Sequence, residues 1–169
     1  VQDFVALGRQ LIADPDWAAK AASGRGADIR RCINCLYCFE TLNLNGRKGL
    51  PLECAVNPRV GREAETENPP RDGDGRTACV VGAGPAGLVA AELLARRGFR
   101  TVVLERAAGP GGQLRLADKP PKKEKIDWCA ADLERAALTS GAEIRYGTEA
   151  TPASVEALDP WAVVVATGG

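Results

Sequence analysis

A glycine-rich segment between a strand pattern and a helix pattern constrains this chain more than any other feature. The run Gly82-Ala83-Gly84-Pro85-Ala86-Gly87 is a G-x-G-x-x-G. Apolar residues 77–81 precede it as a buried strand would, and residues 85–97 are typical of a helix that ends before Gly98. A second strand pattern, residues 100–105, follows. This order predicts a βαβ unit that binds a dinucleotide at the edge of a parallel sheet.

Each position of the motif has a physical reason in such a site. Gly82 permits the tight turn, Gly84 lets the backbone approach a pyrophosphate, and Gly87 allows the helix to pack closely on the strand. The helix N-terminus, with Pro85 and Ala86 in its first turn, offers N–H groups and a partial positive charge to phosphates. We therefore expect these residues to contact or shape a nucleotide site.

Glu105 and the residues after it indicate which nucleotide is bound. A carboxylate at the end of the second strand would accept hydrogen bonds from adenosine ribose hydroxyls and disfavour a 2′-phosphate, so FAD or ADP is favoured over NADP. Residues 109–113 form a second glycine-rich loop, which either gives a flavin room against the backbone or is an ordinary surface turn. A helix pattern at 124–139 and strand patterns at 143–146 and 161–166 complete an alternating α/β order, which is typical of a parallel sheet.

Four of the six cysteines lie within residues 25–60, a segment with little hydrophobic periodicity. Cys32, Cys35 and Cys38 have the spacing C-x2-C-x2-C, and Cys54 follows. Four thiolates can hold one [4Fe-4S] cluster or one structural zinc ion. The close triplet favours the cluster, because zinc ribbons usually supply two separate C-x2-C pairs. A metal centre rather than an apolar core would then organise this segment.

Charge and composition exclude several classes of protein. The 22 Lys and Arg residues balance 22 Asp and Glu residues, which leaves no electrostatic footprint for nucleic acid or an anionic membrane, so we expect neither as a partner. The chain has no His, which excludes imidazole acid–base chemistry and His-ligated metals in it. Its apolar stretches are shorter than the ~18 residues of a membrane span, and it starts without a signal-peptide pattern, so we expect a cytoplasmic location. Cys79 and Cys129 fit buried thiols.

The first residues indicate a piece of a longer protein. Residues 3–8 are apolar and end on glycine, as a buried strand would, and a helical turn follows at about 9–13. Asp14 and Pro15 then predict the N-cap and first residue of a helix that ends before Gly24. Because the chain has no Met and has strand patterns close to both of its ends, we expect an internal fragment.

With the cysteine and glycine motifs in this order, the chain resembles the old yellow enzyme-like iron–sulfur flavoenzymes. That family includes 2,4-dienoyl-CoA reductase, trimethylamine and histamine dehydrogenases, and N-methyl-amino-acid demethylases. The resemblance covers essentially the whole chain. The segments that carry it, besides the two motifs, are Gly8-Arg9, Ala13-Asp14-Pro15, Cys54-Ala55-Val56-Asn57-Pro58, Gly112-Gln113 and Ala166-Thr167-Gly168.

The resemblance implies four successive parts. Residues 1–24 would be the C-terminal end of an FMN-binding TIM barrel, 25–60 the iron–sulfur segment, 61–76 an exposed linker, and 77–169 a truncated FAD- or ADP-binding domain. The expected fold class is therefore α/β, with the end of a TIM barrel and an iron–sulfur segment followed by a partial, three-layer, Rossmann-like FAD/NAD(P)-binding domain.

The resemblance also implies the ligands of each part. Gly8 and Arg9 would hold the FMN phosphate, and the four cysteines a [4Fe-4S] cluster. The residues expected to bind FAD or ADP are Gly82, Gly84, Pro85, Ala86, Gly87, Glu105, Arg106, Gly112, Gln113, Thr167 and Gly168. Catalytic residues would lie outside this chain, as would the parts that exchange electrons with NAD(P)H or an external carrier.

These features predict a fragment of an FMN/[4Fe-4S]/FAD oxidoreductase that relays electrons between the barrel FMN and the dinucleotide domain and acts on an enoyl thioester or an N-methylated amine. The expected partners are the remainder of the same polypeptide and, for outward electron flow, an electron-transfer protein. One alternative is an electron-transfer subunit that resembles the small subunit of glutamate synthase, although that subunit should carry more cluster cysteines. Another is a zinc-stabilised nucleotide-sensing module, which would be colourless.

Overall fold

The structure is a computed structural model that describes residues 3–168. The chain divides into two compact units, which we call the cysteine unit (Val1–Asn68) and the sheet unit (Pro69–Gly169). The boundary between them lies within the segment predicted as a linker, residues 61–76.

The cysteine unit consists of short helices joined by irregular segments. The helices are α1 (Arg9–Ala13), α2 (Trp17–Ala22), α3 (Tyr37–Gly46) and α4 (Glu63–Thr66), with a 3-10 turn at Gly26–Asp28. Helix α1 confirms the predicted helical turn. Helix α2 begins later than predicted, with Asp16 rather than Asp14 as its N-cap. The reason is that the Asp14 Oδ1 accepts the Asp16 N–H at 3.1 Å, which holds these residues in a turn before the helix.

Helix α3 was not predicted, because its sequence has no clear apolar stripe. Phe39, Leu42 and Leu44 on this helix are all more than half exposed. Cys38 and Thr41 are its buried residues, and the Thr41 Oγ1 accepts the Glu53 N–H at 2.9 Å. This helix is therefore held by a polar contact, which hydrophobic periodicity in the sequence does not reveal.

The predicted strand at residues 3–8 is wrong. These residues have no regular secondary structure, and Phe4 and Val5 are 92% and 63% exposed. A strand needs a neighbour to pair its backbone N–H and C=O groups, and the described chain offers none to this segment. The expected end of a TIM barrel is therefore not formed as a strand in residues 3–8.

The sheet unit contains a four-stranded parallel sheet in the order β3-β2-β1-β4. Its strands are β1 (Thr77–Val81), β2 (Arg100–Leu104), β3 (Glu143–Arg145) and β4 (Ala162–Val165). Its helices are α5 (Pro85–Arg96), α6 (Leu114–Ala117), α7 (Lys125–Thr139) and α8 (Pro152–Glu156). The predicted parallel α/β order is confirmed, whereas the short helices α6 and α8 were not predicted.

The core of the sheet unit lies on the two central strands, β1 and β2. Val80 and Val103 are paired in register and fully buried, as is Leu88 of α5, the helix that packs against both strands. Cys79 and Val102 form the next pair, and since side chains alternate along a strand they point to the other face. Both faces of the central strands are therefore covered, which places the carboxyl ends of β1 and β2 on a rigid base.

Strand β4 is less buried than predicted. Its residues alternate between half-buried and exposed, and Val163 and Val165 are 44% and 72% exposed. It is an edge strand of the four-stranded sheet, so only one of its neighbours, β1, is present among the described residues. An apolar run in the sequence indicates a strand but does not tell whether both faces of that strand are covered.

Candidate functional site

The glycine motif forms a tight turn from β1 into α5. Gly82 has a φ of +102°, and a Cβ placed on it would stand 2.6 Å from the backbone O of Ala166, just after β4. A Cβ on Gly87 would stand 1.9 Å from the backbone O of Gly82. Any side chain at either position would clash with backbone, so both glycines are sterically required.

The middle glycine of the motif has a different environment. A Cβ on Gly84 would meet nothing within 4 Å, and Gly84 is the N-cap of α5 without a side chain to satisfy the first helical N–H groups. Pro85 and Ala86, in the first turn of α5, are exposed. The N-terminus of a twelve-residue helix is thus open to solvent, where it can accept an anionic group.

Glu105 connects the glycine turn to the end of β2. The residue is 9% exposed. Its Oε2 accepts the Ala83 N–H and its Oε1 accepts the Ala107 N–H, both at 2.7 Å. An ionised carboxylate has about four acceptor positions, so two remain for hydroxyl groups of a ligand. Glu105 therefore shapes the turn as well as being a candidate ribose ligand.

The second glycine-rich loop and the end of β4 lie beside this turn. The Gly111 N–H donates to the Ala83 C=O at 2.8 Å, and a Cβ on Gly112 would meet the Gly84 Cα at 3.3 Å. A Cβ on Gly168 would lie 3.9 Å from the Gln113 Nε2. Arg106 and Thr167 are exposed, and each adjoins a residue of this group in sequence. The structure thus brings the predicted nucleotide-binding residues to one edge of the sheet, and their binding role stays a prediction.

The predicted metal ligands lie in one part of the cysteine unit, and all six cysteines of the chain are thiols rather than disulfides. Within residues 3–168 no group of three or more His, Cys, Asp or Glu side chains is gathered closely enough to hold a metal ion. The neighbouring Cys38 and Cys35 raise the pKa of the Cys54 thiol, although less than its burial does. Burial raises the pKa of the Cys54 thiol, and hydrogen bonds from the backbone N–H groups of Val56 and Asn57 act in the opposite direction.

The cysteines supply the donor atoms that a thiolate-ligated metal needs, but they are not arranged in a preformed site. Backbone N–H groups directed at a sulfur stabilise its ionised form, which is the form that binds iron or zinc. Asn34 and Leu36, on either side of Cys35, have left-handed backbone conformations with φ of 57° and 63°. Such conformations are uncommon for residues other than glycine, and they fold the chain tightly between Cys32 and Cys38.

The other predicted cofactor residues lie at the start of the cysteine unit. Gly8 is the N-cap of α1, and Arg9 is its first residue; both are exposed. The predicted contact of Gly8 and Arg9 with an FMN phosphate stays a prediction.

Comparison with known proteins places these features in a family. A family model described as an NAD(P)-binding Rossmann-like domain matches residues 80–135. The chain is 41% identical to an NADH oxidase of Thermoanaerobacter brockii over 98% of this chain and 25% of that protein. It is 33% identical to a probable N-methylproline demethylase of Rhizobium meliloti, with 99% and 24% covered. Its structure matches histamine dehydrogenase from Rhizobium sp. 4-9 with a TM-score of 0.85 and 29% identity, over 99% of this chain and 24% of that one.

The chain belongs to the old yellow enzyme-like flavoenzyme family. The resemblance drawn from the two motifs is thereby confirmed, and the relatives are oxidoreductases by name. The chain spans about a quarter of the length of the curated relatives it matches, 25% in the case of the NADH oxidase. In the part of this flavoenzyme chain that the structure describes, no helix is both long and apolar enough to cross a membrane.

Sequence reasoning missed three polar residues of this flavoenzyme's cysteine unit. Gln10, Asp14 and Asn57 each bond with their side chains to the backbone of a distant segment, and Asp14 and Asn57 are each 3% exposed. For Gln10 nothing in the sequence could have revealed this role. For Asn57 the available signal was its place in the Cys-x-x-Asn-Pro segment, which marked it as a family feature. Asp14 was predicted as a helix N-cap, whereas its carboxylate bonds to the Arg30 N–H.

Proposed function

We propose that this segment of an old yellow enzyme-like flavoenzyme relays electrons between an FMN contacted by Gly8 and Arg9 and an FAD or ADP-containing nucleotide at the sheet edge. The relay would be a [4Fe-4S] cluster held by Cys32, Cys35, Cys38 and Cys54. The observation that carries the proposal is that these four cysteines lie in one unit of the chain and are all free thiols.

The cysteine unit offers the donors that such a group needs. A bound iron–sulfur cluster supplies one-electron transfer, and four cysteines are its ordinary ligand set. The chain's own contribution is to hold the ligands and to direct the N–H groups of Val56 and Asn57 at the Cys54 sulfur. Hydrogen bonds to ligand sulfurs stabilise the more negative, reduced state and so raise the reduction potential.

The sheet unit offers a site for an adenine dinucleotide without a 2′-phosphate. The open N-terminus of α5 would bind the pyrophosphate, and the remaining acceptor positions of Glu105 would bind the ribose hydroxyls. Because Glu105 is negatively charged and nearly buried, a 2′-phosphate beside it would be repelled with little screening by solvent.

The substrate class is carried over from the family as a whole. Histamine dehydrogenase and N-methylproline demethylase are named for amines, whereas another structural relative is named 2-naphthoyl-CoA reductase. We propose an N-methylated amine or an enoyl thioester as the substrate of the whole protein, with the remainder of the polypeptide and an electron-transfer protein as partners.

Iron binding tests the cysteine half of the proposal. After anaerobic reconstitution we expect a brown protein with about four iron atoms per chain, and we expect Cys54→Ser to lower that number. Cys129→Ala is the matched control, because Cys129 is a buried thiol outside the set. Uptake of one zinc ion without iron would refute the cluster and support the zinc-stabilised alternative.

Nucleotide affinity tests the other half. Glu105→Gln removes the charge that bonds to ribose hydroxyls, so we expect ADP and FAD to bind about tenfold more weakly in titration calorimetry. Glu149→Gln, at an exposed position of the same unit, should leave the affinity unchanged. Tighter binding of 2′-phosphorylated ADP than of ADP to the wild-type protein would contradict the assignment.

A further inference from the structure

Gln10 connects helix α1 to the segment that carries Cys32. Its Nε2 donates to the Arg30 C=O at 2.8 Å, and its Oε1 accepts the Cys32 N–H at 3.0 Å. The orientation of the amide is determined, because one partner is an acceptor and the other a donor. One side chain therefore holds the backbone on both sides of Arg31, as a neighbouring strand would.

The same segment is held from a second direction. The Asp14 Oδ2 accepts the Arg30 N–H at 2.7 Å and also pairs with the Lys20 Nζ at 2.8 Å. The peptide groups that lead to Cys32 are thus bonded to side chains of Gln10 and Asp14, which lie one turn apart in sequence. These hydrogen bonds restrict the backbone conformation of the residues that lead to Cys32.

Asn57 makes the corresponding connection for Cys54. Its Nδ2 donates to the Ile12 C=O at 2.9 Å, and its own backbone N–H donates to the Cys54 sulfur. Ile12 lies in the last turn of α1, where C=O groups have no partner within the helix. The Asn57 Oδ1 accepts the Arg59 N–H at 3.1 Å, so both the nitrogen and the oxygen of this buried amide are hydrogen-bonded.

We infer that Gln10 and Asn57 are positioning residues, which hold Cys32 and Cys54 against helix α1 before a metal binds. This inference rests on the proposed iron–sulfur function. In the described chain the four thiols do not form a closed site, so metal binding has to draw them together. Restricting the backbone of two of the four ligands lowers the conformational entropy lost in that step.

Hydrogen exchange on the metal-free protein tests the role of Gln10 directly. In Gln10→Ala we expect the Cys32 amide to exchange about tenfold faster, because the loss of one hydrogen bond lowers the free energy of local opening by about 1.4 kcal/mol. Gln10→Glu keeps an acceptor for the Cys32 N–H and should restore most of the protection. Leu11→Ala, at an exposed position on the same helix, is the control. Unchanged exchange at Cys32 in Gln10→Ala, or equal acceleration throughout the cysteine unit, would overturn the inference.

The reconstituted protein tests the role of Asn57. Asn57→Asp removes the donor to the Ile12 C=O while keeping the acceptor for the Arg59 N–H. The matched control is Asn43→Asp, because the Asn43 Nδ2 donates to the Phe39 C=O on the exposed surface of α3. We expect Asn57→Asp to weaken iron binding about tenfold and to change the electron paramagnetic resonance spectrum of the reduced protein, with Asn43→Asp like wild type. A wild-type spectrum and iron affinity in Asn57→Asp would overturn its positioning role.

The two failures can be told apart. Wild-type protein that takes up no iron refutes the proposed function, whatever the exchange data show. Full iron uptake by Gln10→Ala with unchanged Cys32 exchange refutes only the positioning role.

Discussion

Each of the two units is stabilised internally by a different kind of interaction. In the sheet unit Leu88, Val80, Val102 and Val103 are completely buried, and parallel strands pair in register around them. In the cysteine unit only Ala13, Cys38 and Val56 are buried apolar residues among those described, and the long-range contacts come from polar side chains bonded to backbone. The difference teaches that one unit has a core of its own, whereas the other depends on hydrogen bonds and, in our proposal, on a metal.

Removal of the metal should produce the largest difference in stability between the two units. If the reconstituted protein is treated with an iron chelator under anaerobic conditions, we expect faster proteolysis within residues 33–53, between the two ligands whose backbone Gln10 and Asn57 hold, because metal binding orders such a segment. The sheet unit serves as the internal control and should stay resistant to the protease. Equal resistance of both units with and without metal would show that the cysteine unit has sufficient stability of its own.

A cavity in the core should affect only the sheet unit. Leu88→Ala removes a fully buried side chain, and we expect it to lower the free energy of unfolding by about 2–5 kcal/mol. The effect should appear as faster hydrogen exchange at Val80 and Val103. Leu116→Ala is the control, since Leu116 is 75% exposed and should cost at most about 0.5 kcal/mol. Loss of protection at Arg30 as well would mean that the two units unfold together.

Loss of a buried charge should affect only the cysteine unit. Asp14→Asn removes the negative charge of the side chain that accepts the Arg30 N–H and pairs with Lys20. We expect it to lower the free energy of unfolding of the cysteine unit by about 2 kcal/mol. Exchange of the Arg30 amide should rise while that of Val103 does not change. Asp16→Asn, at an exposed neighbouring carboxylate, is the matched control. A similar effect of both substitutions would contradict a special role for the buried charge.

The smallest effect is expected from an exposed ion pair of the sheet unit. The Arg97 guanidinium donates a hydrogen bond at 2.8 Å to the Asp72 carboxylate and lowers the pKa of that carboxyl. A lowered pKa in the folded state means that the pair stabilises the fold above the ordinary Asp value of about 4 and that this stability is lost as the pH falls below it. Thermal melting of wild type and Asp72→Asn should therefore differ slightly at pH 6, and the difference should shrink as the pH falls below about 4. A difference that grows on acidification would contradict this sign.

The elements that could be predicted from the sequence are those with a local signal. Strand β1 matches its predicted bounds, and β2, β3, β4, α5 and α7 agree within one or two residues, because apolar periodicity and the glycines that end these elements act over a few neighbouring positions. Helix α3 could not be predicted, since a polar contact from Thr41 holds it. Residues 3–8 were assigned a strand on an apolar run alone, which carries no information on whether a partner strand is present.

The sequence by itself determined the steric and chemical identity of each site: glycines where a Cβ would strike backbone, thiols at the spacing of a metal motif, and a carboxylate after β2. Only the tertiary structure decided which groups the polar side chains meet. Gln10 bonds 20 and 22 residues away, Glu105 bonds 22 residues back to the glycine turn, and Asn57 bonds 45 residues back to α1. The physical reason is that a steric requirement or a hydrophobic period is local to the chain. A hydrogen bond from a short side chain instead forms wherever folding brings a donor and an acceptor within 3 Å.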